Sequence, residues 1–317
     1  MHLELSTIQA AQKLLRRYLA VTRLVPAPWL ARQTGANIYL KLESDLPTGS
    51  FKPRGALYTL SVNLPRQPIR EVIAASTGNH GAAVAYAAHL LGLPARIFLP
   101  ENPNPVKRAR IAELGATIVE HGRDITDAFR HALVYAQQDG IYFLNDATDP
   151  DITAGPAIIG CEILEQLPAT DAIYVPMGDT ALIRGIAAAL KHLSPKVKII
   201  GVQAERAPSY YLSWKRGEVV TTDTCDTVAD GLATRIPDER NVGAIREMVD
   251  DVRLVSDEQM LEAIRHLLIE EHVVAEPAGA ATTAALLSSD RSPGVNIVLI
   301  VSGANVSPDV LQRALCA

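Results

Sequence analysis

Short, nearly unbroken apolar runs alternate along the chain with longer stretches in which apolar residues recur every three or four positions. The runs at Ile38-Tyr39-Leu40-Lys41-Leu42, Val72 to Ala75, Ala95 to Leu99, Ala116 to Val119 and Ile141 to Leu144 are predicted strands. Ala82 to Leu91, Pro105 to Leu114 and Ile125 to Gln138 are predicted helices between them. A second series follows, with strands near Ala172 to Val175, Val197 to Val202, Val252 to Val255 and Ile297 to Val301. Helical periodicity returns over Ala181 to His192 and Asp257 to Glu271. Ahead of both series, Ser6 and Thr7 are candidate caps of a helix reaching Tyr18, and Pro26-Ala27-Pro28 marks a turn. Strands that are apolar on both faces, each followed by a helix, imply a parallel sheet covered on both sides. The predicted class is therefore α/β, with two open parallel-sheet units.

Composition narrows the function classes without changing that picture. At 317 residues the chain suggests about two domains. It is 48% hydrophobic and 21% charged, as a soluble globular protein is. A net charge of -5 gives no reason to expect nucleic acid or an anionic membrane as partner. Cys161, Cys225 and Cys316 are too scattered for a disulfide framework or a zinc site. No secretory signal or membrane-length apolar stretch is visible, so a cytoplasmic location is expected.

The chemistry is concentrated in turns. Thr48-Gly49-Ser50-Phe51-Lys52-Pro53-Arg54-Gly55 leads from a strand into the amphipathic run Ala56 to Leu60, with Ser50 as a candidate N-cap and Pro53 in the first helical turn. Near a helix N-terminus and partly desolvated, Lys52 is expected to have its ammonium form disfavoured and its amine available as a nucleophile. Ser76-Thr77-Gly78-Asn79-His80-Gly81 and Pro176-Met177-Gly178-Asp179-Thr180-Ala181-Leu182 are further strand-to-helix turns, whose backbone N–H groups suit anions. A reactive lysine with two anion-binding turns points to a cofactor carrying an aldehyde and a phosphate.

With these motifs in order, the chain resembles the pyridoxal-phosphate enzymes of fold type II, and most closely the serine/threonine dehydratase and serine racemase branch. The resemblance implies the tryptophan synthase beta-like fold, with a small domain (66–147) inserted in a larger cofactor-binding domain (1–65 and 148–317). It implies that Lys52, after Phe51, is the Schiff-base lysine and that Asn79 lies beside the cofactor's phenolic oxygen. Gly178, Asp179, Thr180, Ala181 and Leu182 would hold the phosphate, Glu276 of the Glu276-Pro277-Ala278-Gly279-Ala280 stretch would lie near the cofactor, and Ser302 would face the pyridine nitrogen. Ser76, Thr77, Gly78, Asn79 and His80 would receive the substrate carboxylate, with Lys52 and Thr77 as the catalytic pair. His80 also reads as a core histidine with satisfied bonds.

The implied activity is dehydration of a β-hydroxy-α-amino acid to a 2-oxo acid and ammonia by a homodimer. Racemisation, β/γ-replacement as in threonine synthase, and non-catalytic amino-acid or cofactor binding are the alternatives. Four departures from the family pattern bear on this choice, the first being Thr77, whose β-methyl crowds the place where serine racemase carries an acid/base serine and makes racemisation less expected. Asp179, Thr180 and Ala181 replace glycines usual in the phosphate turn, where Asp179 would repel phosphate unless it points away. Gln203 and Ser209 stand where racemase-like members carry cation-binding carboxylates, so no metal is expected. Leu144-Asn145-Asp146-Ala147-Thr148 and Gly155-Pro156-Ala157 differ from the usual dehydratase forms, which leaves bulkier or acidic β-hydroxy amino acids open as substrates. The chain stops soon after Ser302, so no appended regulatory domain and no end-product control of that kind are expected.

Overall fold

The computed structural model describes all residues except 1, 2, 77, 102, 104, 290–293 and 317. Its strands are β1 (Leu24–Pro26), β2 (Asn37–Leu42), β3 (Glu71–Ala75), β4 (Ala95–Leu99), β5 (Thr117–Glu120), β6 (Ile141–Phe143), β7 (Ala172–Pro176), β8 (Lys198–Ala204), β9 (Asp251–Val255) and β10 (Asn296–Val301). In the first half of the chain the helices are α1 (Leu5–Leu15), α2 (Pro28–Thr34), α3 (Lys52–Asn63), α4 (Asn79–Leu91), α5 (Pro105–Glu113) and α6 (Ile125–Tyr135). The second half adds α7 (Ala154–Gln166), α8 (Ala181–Leu193), α9 (Ser209–Arg216), α10 (Glu239–Met248), α11 (Asp257–Ile269), α12 (Pro277–Leu287) and α13 (Pro308–Cys316).

Two sheets result. One has six strands in the order β1-β2-β10-β7-β8-β9, parallel except for β1, and the other has four parallel strands in the order β5-β4-β3-β6. The small sheet comes wholly from residues 71 to 143, and the large sheet from residues before and after them.

Apolar runs make buried strands here because successive side chains point to opposite faces, and both faces are covered. Along β10, Ile297, Leu299 and Val301 pack with α11 and α12, whereas Val298 and Ile300 pack with α8 and α10 on the other side. In the small sheet, Val72, Ala74, Ile97 and Leu99 meet α3 and α4, while Ile73 and Phe98 meet Ala128 and Ala132 of α6. The lysine-bearing helix α3 is buried on nearly every side, so its position is fixed by packing.

Two predicted caps are not formed. Ser6 and Thr7 lie inside α1, whose N-cap position is Glu4. Ser50 is not the cap of α3; that position is Phe51, and Ser50 forms a β-bridge with Gly303. The backbone accounts for the second difference. Phe51 N–H donates to the Ser302 carbonyl (3.0 Å) and Ala304 N–H to the Gly49 carbonyl (2.9 Å), tying this turn to the end of β10. Gly49 supplies the left-handed conformation (φ 68°) that the turn requires.

Candidate active site

The site lies where the carboxyl ends of strands from both sheets converge, the usual place for ligands in open α/β folds. The segment after β2 brings Lys52, β3 leads to the turn at Ser76 to His80, and β7 leads to the turn at Gly178 to Leu182. The loop after β6 adds Asp146, and Ser302 follows directly on β10. All the predicted site residues line one cavity of about 160 Å³ except Thr77, which lies outside the described residues.

Lys52 is the first residue of α3, with Phe51 beside it; its Nζ sits 5.3 Å from the centre of the Phe51 ring. It forms an ion pair with Asp146. Burial works against the ammonium, but Asp146, then Asp179 and Glu276, outweigh it and raise Lys52 above its ordinary 10.5. This corrects the expectation that the ammonium is disfavoured. Burial acts as anticipated, and carboxylates from distant parts of the chain override it. Asp146 opposes its own burial in the same way, held well below the usual carboxylate range by His80 and Lys52.

Asp146 is firmly placed. Asn145 Oδ1 accepts from Ala147 N–H (2.9 Å) and Thr148 N–H (3.3 Å), closing an Asx-type turn around it. The Ala147 carbonyl accepts from Arg184 (3.1 Å) and from Asn241 (3.0 Å). His80 is buried in α4; its Nε2 is 2.9 Å from the Leu144 carbonyl and its Nδ1 is 3.7 Å from Asp146 Oδ2. It is thus bonded within the core and faces the cavity as well.

Asn79 begins α4, with its amide held at both ends. Its Nδ2 donates to Glu276 Oε1 (2.6 Å), and its Oδ1 accepts from Asn305 Nδ2 (2.6 Å). Asn305 also donates to the Thr48 carbonyl (2.9 Å) and accepts from Arg110. Glu276, at the N-cap position of α12, makes no side-chain cap. Asp146, Asn305, Arg184 and Thr234 escaped the sequence reading as site residues; the atypical stretch around Asp146 was the one signal that pointed to any of them.

The turn before α8 departs from an all-glycine cradle in a defined way. Thr180 adopts the left-handed conformation (φ 68°), which a β-branched residue rarely does. Its hydroxyl accepts from Arg184 Nε (3.1 Å) and retains its own proton for donation. Asp179 accepts weakly from Thr234 (3.4 Å), and burial, then the charge of Asp146, push its carboxyl toward the neutral form. A shift in that direction weakens the expected repulsion of an anion. Gly178 packs so closely that a Cβ there would lie 2.1 Å from the Gly231 carbonyl oxygen. Gln203 and Ser209 serve local bonds: Gln203 Oε1 accepts from Tyr211 N–H (2.9 Å), and the Ser209 hydroxyl donates to the Thr234 carbonyl (2.5 Å).

These donors suit an aromatic aldehyde that carries a phosphate. The first N–H groups of α8 have no intrahelical acceptor and, with the Thr180 hydroxyl, favour phosphate. Lys52 supplies an amine for the aldehyde, Asn79 an amide, and Ser302, buried at the end of β10, a neutral hydroxyl.

Comparisons with known proteins agree with that chemistry. The chain is 36% identical over 311 residues to an L-threonine ammonia-lyase of Thermotoga maritima, covering 98% of this chain and 78% of that protein. Its fold superposes on maize serine racemase with a TM-score of 0.94 at 28% identity, covering 100% and 98% of the two chains. The processed form of threonine deaminase isoform 2 from Solanum lycopersicum gives 0.91 at 32% identity, covering 98% and 86%. The family model described as pyridoxal-phosphate dependent enzyme matches residues 15–303, so the chain, by its turns, its donors and its relatives alike, belongs to the pyridoxal-phosphate dependent enzymes.

Proposed function

We propose that this chain is a pyridoxal-phosphate-dependent ammonia-lyase that dehydrates a β-hydroxy-α-amino acid of the threonine or serine kind to a 2-oxo acid and ammonia. The observation that carries the reading is the meeting of Lys52, Asn79, Ser302 and the Gly178 to Leu182 turn on one cavity. Relatives named L-threonine ammonia-lyase, 36% and 37% identical over nearly the whole chain, support elimination over racemisation. We further propose that the chain acts as a homodimer in the cytoplasm and divides into 1–65 with 148–317 and an inserted 66–147. Among the described residues, no helix is long and apolar enough to cross a membrane.

In this reading the α8 N-terminus and Thr180 bind phosphate, Asn79 faces the ring's phenolic oxygen, and Ser302 offers the ring nitrogen a neutral partner. When bound, pyridoxal phosphate supplies an electron-accepting ring that acidifies the substrate's Cα–H. Ser76 and the N–H groups of its turn receive the substrate carboxylate and aim the Cα–H at Lys52. With the cofactor engaged by the substrate, the Lys52 amine would take that proton as general base. A neutral Ser302 leaves the ring a weaker electron sink than a carboxylate partner would, which favours prompt loss of the β-hydroxyl.

The holoenzyme is expected to be yellow, and borohydride to fix the cofactor on Lys52 while bleaching the colour. A panel of hydroxy amino acids, assayed for 2-oxo acid and for the opposite enantiomer, tests the reaction class. Enantiomer formation without 2-oxo acid release would replace dehydration by racemisation.

Gly178→Ala is expected to weaken cofactor retention about tenfold or more, because its methyl meets a backbone oxygen that no rotamer change can move. The same overlap should lower stability by roughly 1–3 kcal/mol. Titration of the apoprotein with cofactor, alongside thermal melting, measures both; unchanged values would show that the turn yields freely.

A further inference from the structure

We propose that Asp146 is the proton carrier for Lys52, accepting a proton from its ammonium and returning it to the oxygen that departs as the lysine forms an imine. The inference rests on the reading of Lys52 as the cofactor's lysine and adds a residue which that reading does not assign.

The geometry has three parts. Asp146 is the ion-pair partner of Lys52 and lies in a loop fixed by the Asn145 turn and by Arg184 and Asn241. The other carboxylates facing Lys52 have contacts of their own. Asp179, on the turn after β7, is engaged by Thr234, and Glu276, at the start of α12, is engaged by Asn79. His80 of α4 lies beyond Asp146, with Nδ1 3.7 Å from Oδ2. His80 Nε2 donates to the Leu144 carbonyl, which holds the ring with Nδ1 toward Asp146. The direct contact between Lys52 and Asp146 is therefore the step at which a proton can leave the lysine, and His80 stands outside hydrogen-bond distance of that carboxylate.

The chemistry balances. Lys52 begins as an ammonium and gives one proton to the Asp146 carboxylate, freeing its lone pair. The nitrogen attacks the aldehyde carbon, a C–N bond forms, and the carbonyl π electrons move to oxygen, which takes a second proton from the nitrogen to become a hydroxyl. Asp146 returns its proton to that hydroxyl, the C–O bond breaks, and water leaves as the nitrogen closes the C=N bond. One water is produced, no electrons enter or leave the system, and Asp146 ends as it began, a carboxylate.

The test follows imine formation between the apoprotein and pyridoxal phosphate across pH, by absorbance and by borohydride trapping on Lys52. Asp146→Asn is expected to lower the limiting rate about 10²-fold, the low end for loss of a general acid–base group. It should also move the midpoint of the pH profile down by about one unit or more, since a buried amine without its carboxylate loses its proton more readily. Asp146→Ser, a second uncharged replacement, must shift the midpoint in the same direction, and Asp146→Glu must recover part of the rate. A role in packing alone would leave the midpoint in place, and a purely electrostatic role would shift the midpoint without lowering the limiting rate. Labelling of Lys52 in the wild type with an unchanged profile in Asp146→Asn overturns this proposal alone. Absence of label on wild-type Lys52 overturns the underlying reading together with it.

Discussion

Lys52→Ala is expected to abolish 2-oxo acid release, with a fall of roughly 10²–10⁴-fold from loss of the base alone and a further loss because no side chain remains to form the imine. The protein should be colourless after dialysis yet folded, since α3 is held by the buried faces of Ala56, Leu57 and Leu60 and not by its first residue. Removing the ammonium leaves Asp146 and Asp179 without the charge that lowers both, so both carboxyls should bind protons more readily. Lys52→Arg separates the two duties of this residue. It keeps a positive charge near Asp146 but offers no nucleophilic amine, so it should restore thermal stability and not activity. A yellow Lys52→Ala protein that turns over within tenfold of the wild type would remove Lys52 from the centre of the mechanism.

Much of this site was legible because it is written in contiguous turns. A strand leads to a helix through a few small residues both between β3 and α4 and between β7 and α8, and that order can be read from contiguous sequence. The state of Lys52 was not legible, because its partner Asp146 is 94 residues away. Asn79 likewise depends on Glu276 and Asn305, at separations of 197 and 226 residues. Local propensity favoured Ser50 as a cap, and tertiary structure overrode it: Phe51 N–H finds its acceptor in Ser302. Thr180 shows the same hierarchy in reverse. A left-handed threonine is unfavourable by about 1–2 kcal/mol, and its bond from Arg184 helps to offset that cost.

Sequence reading treats charged residues as surface by default, and here the default fails beneath α3. Lys41 of β2, Glu43, Arg54 and Glu162 of α7 are buried together with Thr22. Arg54 is gripped by both carboxylates, at 2.7 Å to Glu43 and 2.7 Å to Glu162, while Lys41 donates to Glu162 (2.7 Å) and to the Thr22 carbonyl (2.9 Å). Two cations and two carboxylates thus satisfy one another and join the strand before the lysine turn, the helix after it, and α7. Because Arg54 follows Lys52 by two residues, this network anchors the first turn of α3 from the side opposite the cavity.

Glu162→Gln is therefore expected to destabilise the protein by roughly 3–5 kcal/mol, since it leaves Arg54 and Lys41 with Glu43 as the remaining buried carboxylate. Glu162→Leu should be at least as damaging, because it also removes one acceptor of Lys41 and leaves the Thr22 carbonyl and Gln166. The pH dependence has a definite sign. Burial opposes the charge on Glu162, but Arg54 and then Lys41 hold its carboxyl below its ordinary 4.5. Its stabilisation is then fully present above the unfolded-state value and is lost as pH falls through the lower folded-state one. The glutamine variant lacks that titration, so the gap between wild type and variant should narrow as the solution is acidified below about pH 4.5. Urea unfolding of both proteins at neutral pH and in acid measures the two effects. A variant within 1 kcal/mol of wild type at neutral pH, or a gap that stays constant into acid, would mean that Arg54 and Lys41 find other partners and that the network does not anchor α3.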